Sequence, residues 1–142
     1  MILRMAWLSL SAPLLMATSL RAQAGATECD PHLATVILDG QTWGDLYSAY
    51  RHNPCNDPVV DRAINQVVIR TLAKQWQDLP QLQQLVSADS TFLTLVLQHL
   101  DGASDPDQLK AIGRNARRHC PKKQELLCTR IAETAEAASG RP

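Results

Sequence analysis

The sequence has no surplus of charge of either sign and contains few aromatic residues. Its 142 residues include 14 Lys and Arg against 14 Asp and Glu, with three Trp, two Tyr and one Phe. A chain without a basic excess lacks the electrostatic signature of a nucleic-acid-binding protein. We therefore expect its partner not to be a nucleic acid.

Motifs that carry catalysis are also missing. The chain has no Gly-x-Ser-x-Gly elbow, no His-Glu-x-x-His helix and no Gly-rich phosphate loop. The acidic stretch at 101–109 departs from an EF-hand, because Pro106 replaces the turn glycine and Ile112 the final glutamate. His99 and Asp101 would need a nucleophile that the sequence does not supply. We expect a protein that is not an enzyme and that uses no cofactor and no metal.

A long uninterrupted apolar run is absent, although the amino terminus is apolar. Arg4 precedes an apolar run at residues 5–20, which polar residues and Pro13 interrupt. Ala22 and Ala24 then stand at the two positions that a signal peptidase reads. This layout is typical of a secretory signal peptide, whereas a membrane span needs about 20 predominantly apolar residues. We predict cleavage after Ala24.

The predicted signal peptide covers residues 1–24 and leaves residues 25–142 as a single helical domain. A chain of this length falls within the usual range for one domain, on the order of 100–150 residues, and can bury a core. Cleavage removes two Arg and no acid, so the mature chain has a net charge of −2. We expect a periplasmic or secreted protein with no membrane insertion after signal cleavage.

Four cysteines follow the predicted cleavage site: Cys29, Cys55, Cys120 and Cys128. An even number of cysteines in an exported chain favours two disulfides. We prefer the pairs Cys29–Cys55 and Cys120–Cys128, which close two helical hairpins, over pairs that tie the amino-terminal region to the last helices. His32 and His52 lie three residues from Cys29 and Cys55 and offer a metal site as the alternative. An oxidising compartment favours the disulfides.

Helical periodicity runs through the mature chain and predicts an all-α fold, a compact bundle of five to six short helices. The longest predicted helix spans residues 57–79 and ends near Pro80. Residues 89–101 are apolar nearly all round, which predicts the most buried helix. The last helix is predicted to turn Leu126 inward. Residues 33–38 are rich in Val and Ile, so a short strand is an alternative there.

Two groups of side chains are candidates for contact with a partner. The first is a basic segment that contains Arg114, Arg117, Arg118, Lys122 and Lys123. Its three arginines fall at helical spacing and share one face. The second group is Tyr47 and Tyr50, which follow Trp43 at helical spacing and belong to a residue type common in interface hot spots. A solvated basic face and a core role for the aromatic residues are the alternatives.

We predict a binding protein with a protein partner. Four features support this prediction: export, a disulfide-bonded helical body, the missing catalytic motifs and an uneven distribution of charge. In size, signal and helical character the chain is similar to small exported immunity or inhibitor proteins that protect a cell from wall-degrading toxins. Such a protein would occlude an acidic partner, and an anionic envelope polymer is the other expected ligand of the basic segment. A periplasmic stress chaperone or scaffold is one alternative. A secreted effector or an enzyme with an unrecognised site is another.

Overall fold

Seven α-helices make up most of the chain that the structure describes. The computed structural model describes residues 29–52, 56–101 and 105–140. The helices are α1 (Leu33–Asp39), α2 (Trp43–His52), α3 (Pro58–Lys74), α4 (Leu79–Ala88), α5 (Ser90–Asp101), α6 (Pro106–Arg118) and α7 (Glu125–Ser139). These ranges contain no strand, which confirms the all-α prediction for them and makes residues 33–38 helical. The predicted signal peptide, residues 1–24, lies outside the described residues.

The expected count of five to six helices is too low because α4 is a full helix, and the predicted long helix is shorter than residues 57–79. Helix α3 ends at Lys74, a 3-10 turn follows at Trp76–Asp78, and α4 begins at Leu79. Pro80 therefore lies in the first turn of α4 instead of ending α3. A first-turn backbone N–H has no acceptor within its helix, so proline costs no hydrogen bond there and its fixed φ suits the start of a helix. None of the described helices combines the length and apolarity that would span a bilayer.

Two helix starts follow the sequence signals closely. The Asp57 carboxylate caps α3 by accepting from the N–H groups of Val59 and Val60 at 2.7 and 3.3 Å, with Pro58 as the first helical residue. Asp105 caps α6 in the same way, again followed by a proline. An aspartate oxygen satisfies donors that have no acceptor within the helix, so these two starts are fixed locally.

Helix α3 lies at the centre of the fold. It has eight buried residues and packs against α1, α5 and α6. Helix α5 was predicted to be the most buried, and this is wrong: it buries Phe92, Val96 and Leu100, while Leu93 and Leu97 stay half-buried. Its apolar residues surround the helix, but the packing partners α3, α4 and α7 cover it only in part.

Helices α6 and α7 form an antiparallel hairpin that is closed by a disulfide. Cys120 and Cys128 are bonded, with an S–S distance of 2.01 Å and a Cα–Cα distance of 6.0 Å. The sequence prediction of this pair is confirmed. The other predicted pair includes Cys55, which lies outside the described residues, and therefore stays a prediction.

Candidate docking surface

The basic segment lies on the outside of the α6–α7 hairpin. All five predicted cations are exposed: Arg114, Arg117 and Arg118 on α6, and Lys122 and Lys123 in the connection to α7. Because three of them belong to one helix and two to the turn that follows it, positive charge extends from the side of the hairpin to its end. We call these five residues the basic surface.

Arg117 differs from the other four residues of the basic surface because it is paired. Its Nε and Nη2 donate to the two carboxylate oxygens of Glu136 on α7, at 2.9 and 2.8 Å. These hydrogen bonds, with the charge of each partner, raise the pKa of Arg117 and lower the pKa of Glu136. The remaining cations, Arg114, Arg118, Lys122 and Lys123, form no salt bridge with any residue that the structure describes.

The turn between α6 and α7 holds Lys123 in a backbone conformation that favours glycine. Gln124 N–H donates to the carbonyl of Pro121 at 3.2 Å, so residues 121–124 form a β-turn with Lys123 third. The φ of Lys123 is 67°, and a positive φ at this position is typical of a type II turn with glycine. Its N–H also donates to Glu125 Oε1 at 3.2 Å. The lysine is thus held in a strained position.

Two further bonds fix the end of the hairpin. The disulfide joins Cys120, just before the turn, to Cys128 in α7. On the other side, Trp76 Nε1–H donates to the carbonyl of His119 at 2.9 Å, and His119 is the residue that ends α6. Trp76 belongs to the 3-10 turn after α3, so this bond joins two parts of the chain that are 43 residues apart. The lysines therefore belong to a turn that is anchored at both sides.

Leu126 is exposed next to the turn, contrary to the prediction that it faces inward. It is 79% exposed, whereas its neighbours Leu127 and Cys128 are buried. The buried face of α7 continues through Ile131 and Ala135, at the helical spacing that starts from Leu127 and Cys128. Leu126 lies outside that face, so the hairpin presents an apolar side chain close to Lys122 and Lys123.

A groove of about 340 Å³ runs between α6 and α7 beside the basic surface. Its lining is Leu109, Lys110, Gly113, Arg114, Arg117, Arg118, Glu136 and Ser139. Lys110 was not singled out from the sequence, although it precedes Arg114 by four residues and so shares its helix face. Glu136 could not be assigned to the groove from sequence because it comes from the opposite helix.

Gly113 forms part of the groove where α6 meets α7. The structure places the Glu136 side chain there: a Cβ added at Gly113 would lie 3.5 Å from Glu136 Cγ. That distance is an ordinary van der Waals contact, so the groove has room for a methyl group and the helices do not force glycine at this position.

The two predicted tyrosines belong to a different part of the molecule. Tyr47 and Tyr50 are half-buried on α2, and their ring centroids lie 5.0 and 6.2 Å from that of Phe92. Trp43 is buried against the same ring at 6.4 Å, nearly perpendicular to it. Helix α2 packs against α1, α3 and α4, whereas α6 packs against α7 and α3. Contact of the tyrosines with a partner stays a prediction.

The histidines take part in local contacts. His52 Nδ1 lies 2.8 Å from the carbonyl of Ser48 in its own helix. His99 Nδ1 lies 2.9 Å from the carbonyl of Leu95, and its Nε2 lies 3.8 Å from Asp61 Oδ1. No group of three or more His, Cys, Asp or Glu side chains among the described residues is arranged to hold a metal ion.

Comparison with known proteins gives no family assignment. No family model matches the chain, and no curated protein or solved structure matches it either. The basic surface therefore has to be interpreted from its own chemistry.

Proposed function

We propose that this chain is an exported, non-enzymatic binding protein that occludes an acidic partner protein, as an inhibitor or immunity protein does. The contact is made by the end of the α6–α7 hairpin, which carries Lys122, Lys123 and Leu126 and follows Arg118 along the chain. The observation that carries the proposal is a set of four exposed cations that form no salt bridge with the described residues, beside a leucine that is 79% exposed.

The composition of this surface supports a protein partner. Exposed cations steer an acidic partner and set its orientation, while affinity comes mainly from a few desolvated side chains. Leu126 supplies an apolar side chain that can be desolvated, and the surrounding lysines and arginine supply the complementary charge. A polyanion without apolar groups would use the cations but would gain little from Leu126.

The rigidity of the turn also supports a docking role. A segment whose backbone is already ordered loses less conformational entropy on binding than a flexible one. The Cys120–Cys128 disulfide and the Trp76–His119 hydrogen bond restrain the segment that carries the lysines. The strained φ of Lys123 fits the tendency of strained residues to cluster at functional sites.

Site-specific photo-crosslinking in the exporting host tests the proposal. A photo-reactive residue at Leu126 should yield an adduct with one acidic protein, identified by mass spectrometry. The same residue at Val59 on α3, which is also exposed at 53%, should not yield it. Lys122→Glu with Lys123→Glu should abolish the adduct, because both charges then repel the partner. Arg62→Glu with Lys74→Glu, two exposed cations of α3, is the matched double charge reversal and should leave the adduct in place.

Two outcomes would contradict the proposed function. One is an adduct at position 59 that is absent at position 126, which would put the interface elsewhere. The other is turnover of a substrate by the purified protein without a partner, which would make it an enzyme. An adduct at position 126 that survives both lysine reversals would reject the role of the basic turn.

A further inference from the structure

The groove between α6 and α7 has the chemistry of a carboxylate-binding site. Lys110, Arg114, Arg117 and Arg118 contribute four positive charges to a space of about 340 Å³, and Glu136 contributes the only negative charge among the described residues of its lining. A guanidinium group binds a carboxylate through two parallel N–H···O bonds, a geometry that selects carboxylates and phosphates over other anions. Arg117 already has this geometry.

The guanidinium group of Arg117 already binds a carboxylate of the protein itself, that of Glu136. The two bonds measure 2.9 and 2.8 Å, so Arg117 is held in the position that a bound carboxylate would require. The two side chains are 51% and 50% exposed. Water therefore screens the pair, so a carboxylate from outside has to break only an exposed ion pair to reach Arg117. Exchange of Glu136 for a carboxylate from outside is correspondingly easy.

Gly113 leaves space for such an exchange. With no side chain at this position, the groove lies open next to the aliphatic part of Glu136, 3.5 Å from where a Cβ would stand. The remaining cations of the groove, on either side of Arg117 along α6, form no salt bridge with the described residues. They are free to receive neighbouring carboxylates of an extended ligand.

We propose that the α6–α7 groove binds an extended acidic peptide, and that one carboxylate of the peptide replaces Glu136 on Arg117. That the peptide is a segment of the acidic partner rests on the proposed function; the carboxylate site itself does not. Glu136 then acts as an internal competitor that keeps Arg117 in its binding geometry while the groove is empty.

The test measures binding of a fluorescein-labelled hexaglutamate peptide by fluorescence anisotropy at low salt. Glu136→Gln removes the competitor and should tighten binding about two- to fivefold, the range expected when an exposed ion pair no longer has to be broken. Glu133→Gln is the matched control, because it removes one exposed negative charge from the same helix without touching a hydrogen bond to Arg117. Its effect should be much smaller. An equal effect of the two variants would overturn the proposal.

A second pair of variants separates geometry from net charge. Arg117→Lys combined with Glu136→Gln keeps the net charge of Glu136→Gln but lacks the guanidinium group. It should bind hexaglutamate about two- to fivefold more weakly than Glu136→Gln alone, since the bidentate geometry of an exposed ion pair is lost. Equal affinity of these two variants would show that the guanidinium group of Arg117 does not hold the peptide. Circular dichroism verifies that each variant is folded.

The probes and the crosslinking arm distinguish the two proposals and the two anion classes. If the protein binds inorganic hexaphosphate more tightly than hexaglutamate, the choice of a carboxylate ligand is wrong. Suppose that Glu136→Gln binds hexaglutamate more tightly than Glu133→Gln does, while position 126 gives no adduct. The proposal for the groove is then supported and the proposed function fails. If position 126 gives the adduct while the two glutamate variants behave alike, the groove proposal fails alone.

Discussion

The α6–α7 hairpin and the aromatic region around Phe92 use their charged side chains in opposite ways. In the aromatic region, the Asp89 carboxylate accepts hydrogen bonds from Tyr47 and Arg51 on α2, both at 3.3 Å, as well as from Thr91. At the hairpin, four of the five cations form no salt bridge with the described residues. Charges whose partners lie inside the molecule stabilise its fold, whereas charges without such partners are available for contact.

This contrast makes Tyr47 and Tyr50 weaker candidates for contact with a partner than the cations of the hairpin. Tyr47 has its ring against Phe92 and its hydroxyl on Asp89, so most of its binding capacity is used inside the protein. Arg51 lies above the ring of Tyr47, 5.8 Å from its centroid, and also binds Asp89. The cations of the hairpin have no comparable set of contacts. The four predictions below test this division between a structural region and a contact region.

The largest effect is expected at the centre of the aromatic region. Phe92 is fully buried, and Trp43, Tyr47 and Tyr50 all lie against its ring. Phe92→Ala should lower the free energy of unfolding by about 3–5 kcal/mol, measured by urea denaturation. Phe92→Leu keeps most of the volume and should cost less than about 1.5 kcal/mol. Equal losses in both variants would contradict this, because they would show that the volume kept by leucine contributes nothing.

The second prediction concerns the disulfide that closes the hairpin. Cys120→Ser with Cys128→Ser should lower the free energy of unfolding by about 2–3 kcal/mol, because the bridge restricts the unfolded chain over a short loop. The variant should also weaken the adduct at position 126, since the turn loses a restraint. Phe92→Leu serves as the comparison: it is destabilised in the other region and should keep the adduct. An unchanged denaturation midpoint would contradict the prediction.

The third prediction is a pH dependence in the aromatic region. The hydroxyl of Thr91 and the other donors to Asp89 lower the pKa of its carboxyl group. The unfolded state therefore binds more protons than the folded state in the window below the ordinary aspartate pKa of about 3.9. Stability that comes from Asp89 is present above that value and is lost as the pH falls through the lowered pKa of the folded state.

Asp89→Asn measures this contribution directly. The variant should be less stable than the wild type at about pH 7, by less than the disulfide variant, and the difference should shrink toward about pH 2. Thermal unfolding followed by circular dichroism at both pH values gives the comparison. A difference that grows on acidification would have the wrong sign. Other carboxyl groups with a lowered pKa, such as Glu136, titrate in both proteins and cancel in the difference.

Local signals made part of this molecule predictable from sequence. The starts of α3 and α6 depend on neighbouring residues alone, because in each an aspartate directly precedes a proline. The Cys120–Cys128 bond was also identified, because a short turn between two helices brings these positions together. All of these features involve residues that are close together in the sequence.

Features that depend on distant partners were not predictable. The exposure of Leu126 depends on which face of α7 the neighbouring helices cover, and the pattern of Leu126 and Leu127 fits either choice. The partner of Arg117 is 19 residues away, on another helix. Helix α5 is apolar all round, so its sequence did not reveal that α3 would take the central position.

The last prediction concerns Lys122 and Lys123 and separates stability from partner contact within one turn. Lys123 has a φ of 67°, and Lys122 does not have a positive φ. Lys123→Gly should raise the free energy of unfolding by about 0.5–1 kcal/mol, since glycine relieves the strain but makes the unfolded chain more flexible. Lys122→Gly should lower it by a similar amount, because only the second effect applies.

Both glycine variants remove one positive charge from the basic surface, so both should weaken the adduct at position 126 to a similar degree. Opposite signs in stability together with equal losses in crosslinking would show that a lysine is kept at position 123 for contact, at a cost in stability. Loss of crosslinking in Lys122→Gly alone would mean that the strained residue serves the fold of the turn and not the partner. Urea denaturation and crosslinking yield of the same preparations decide between the two.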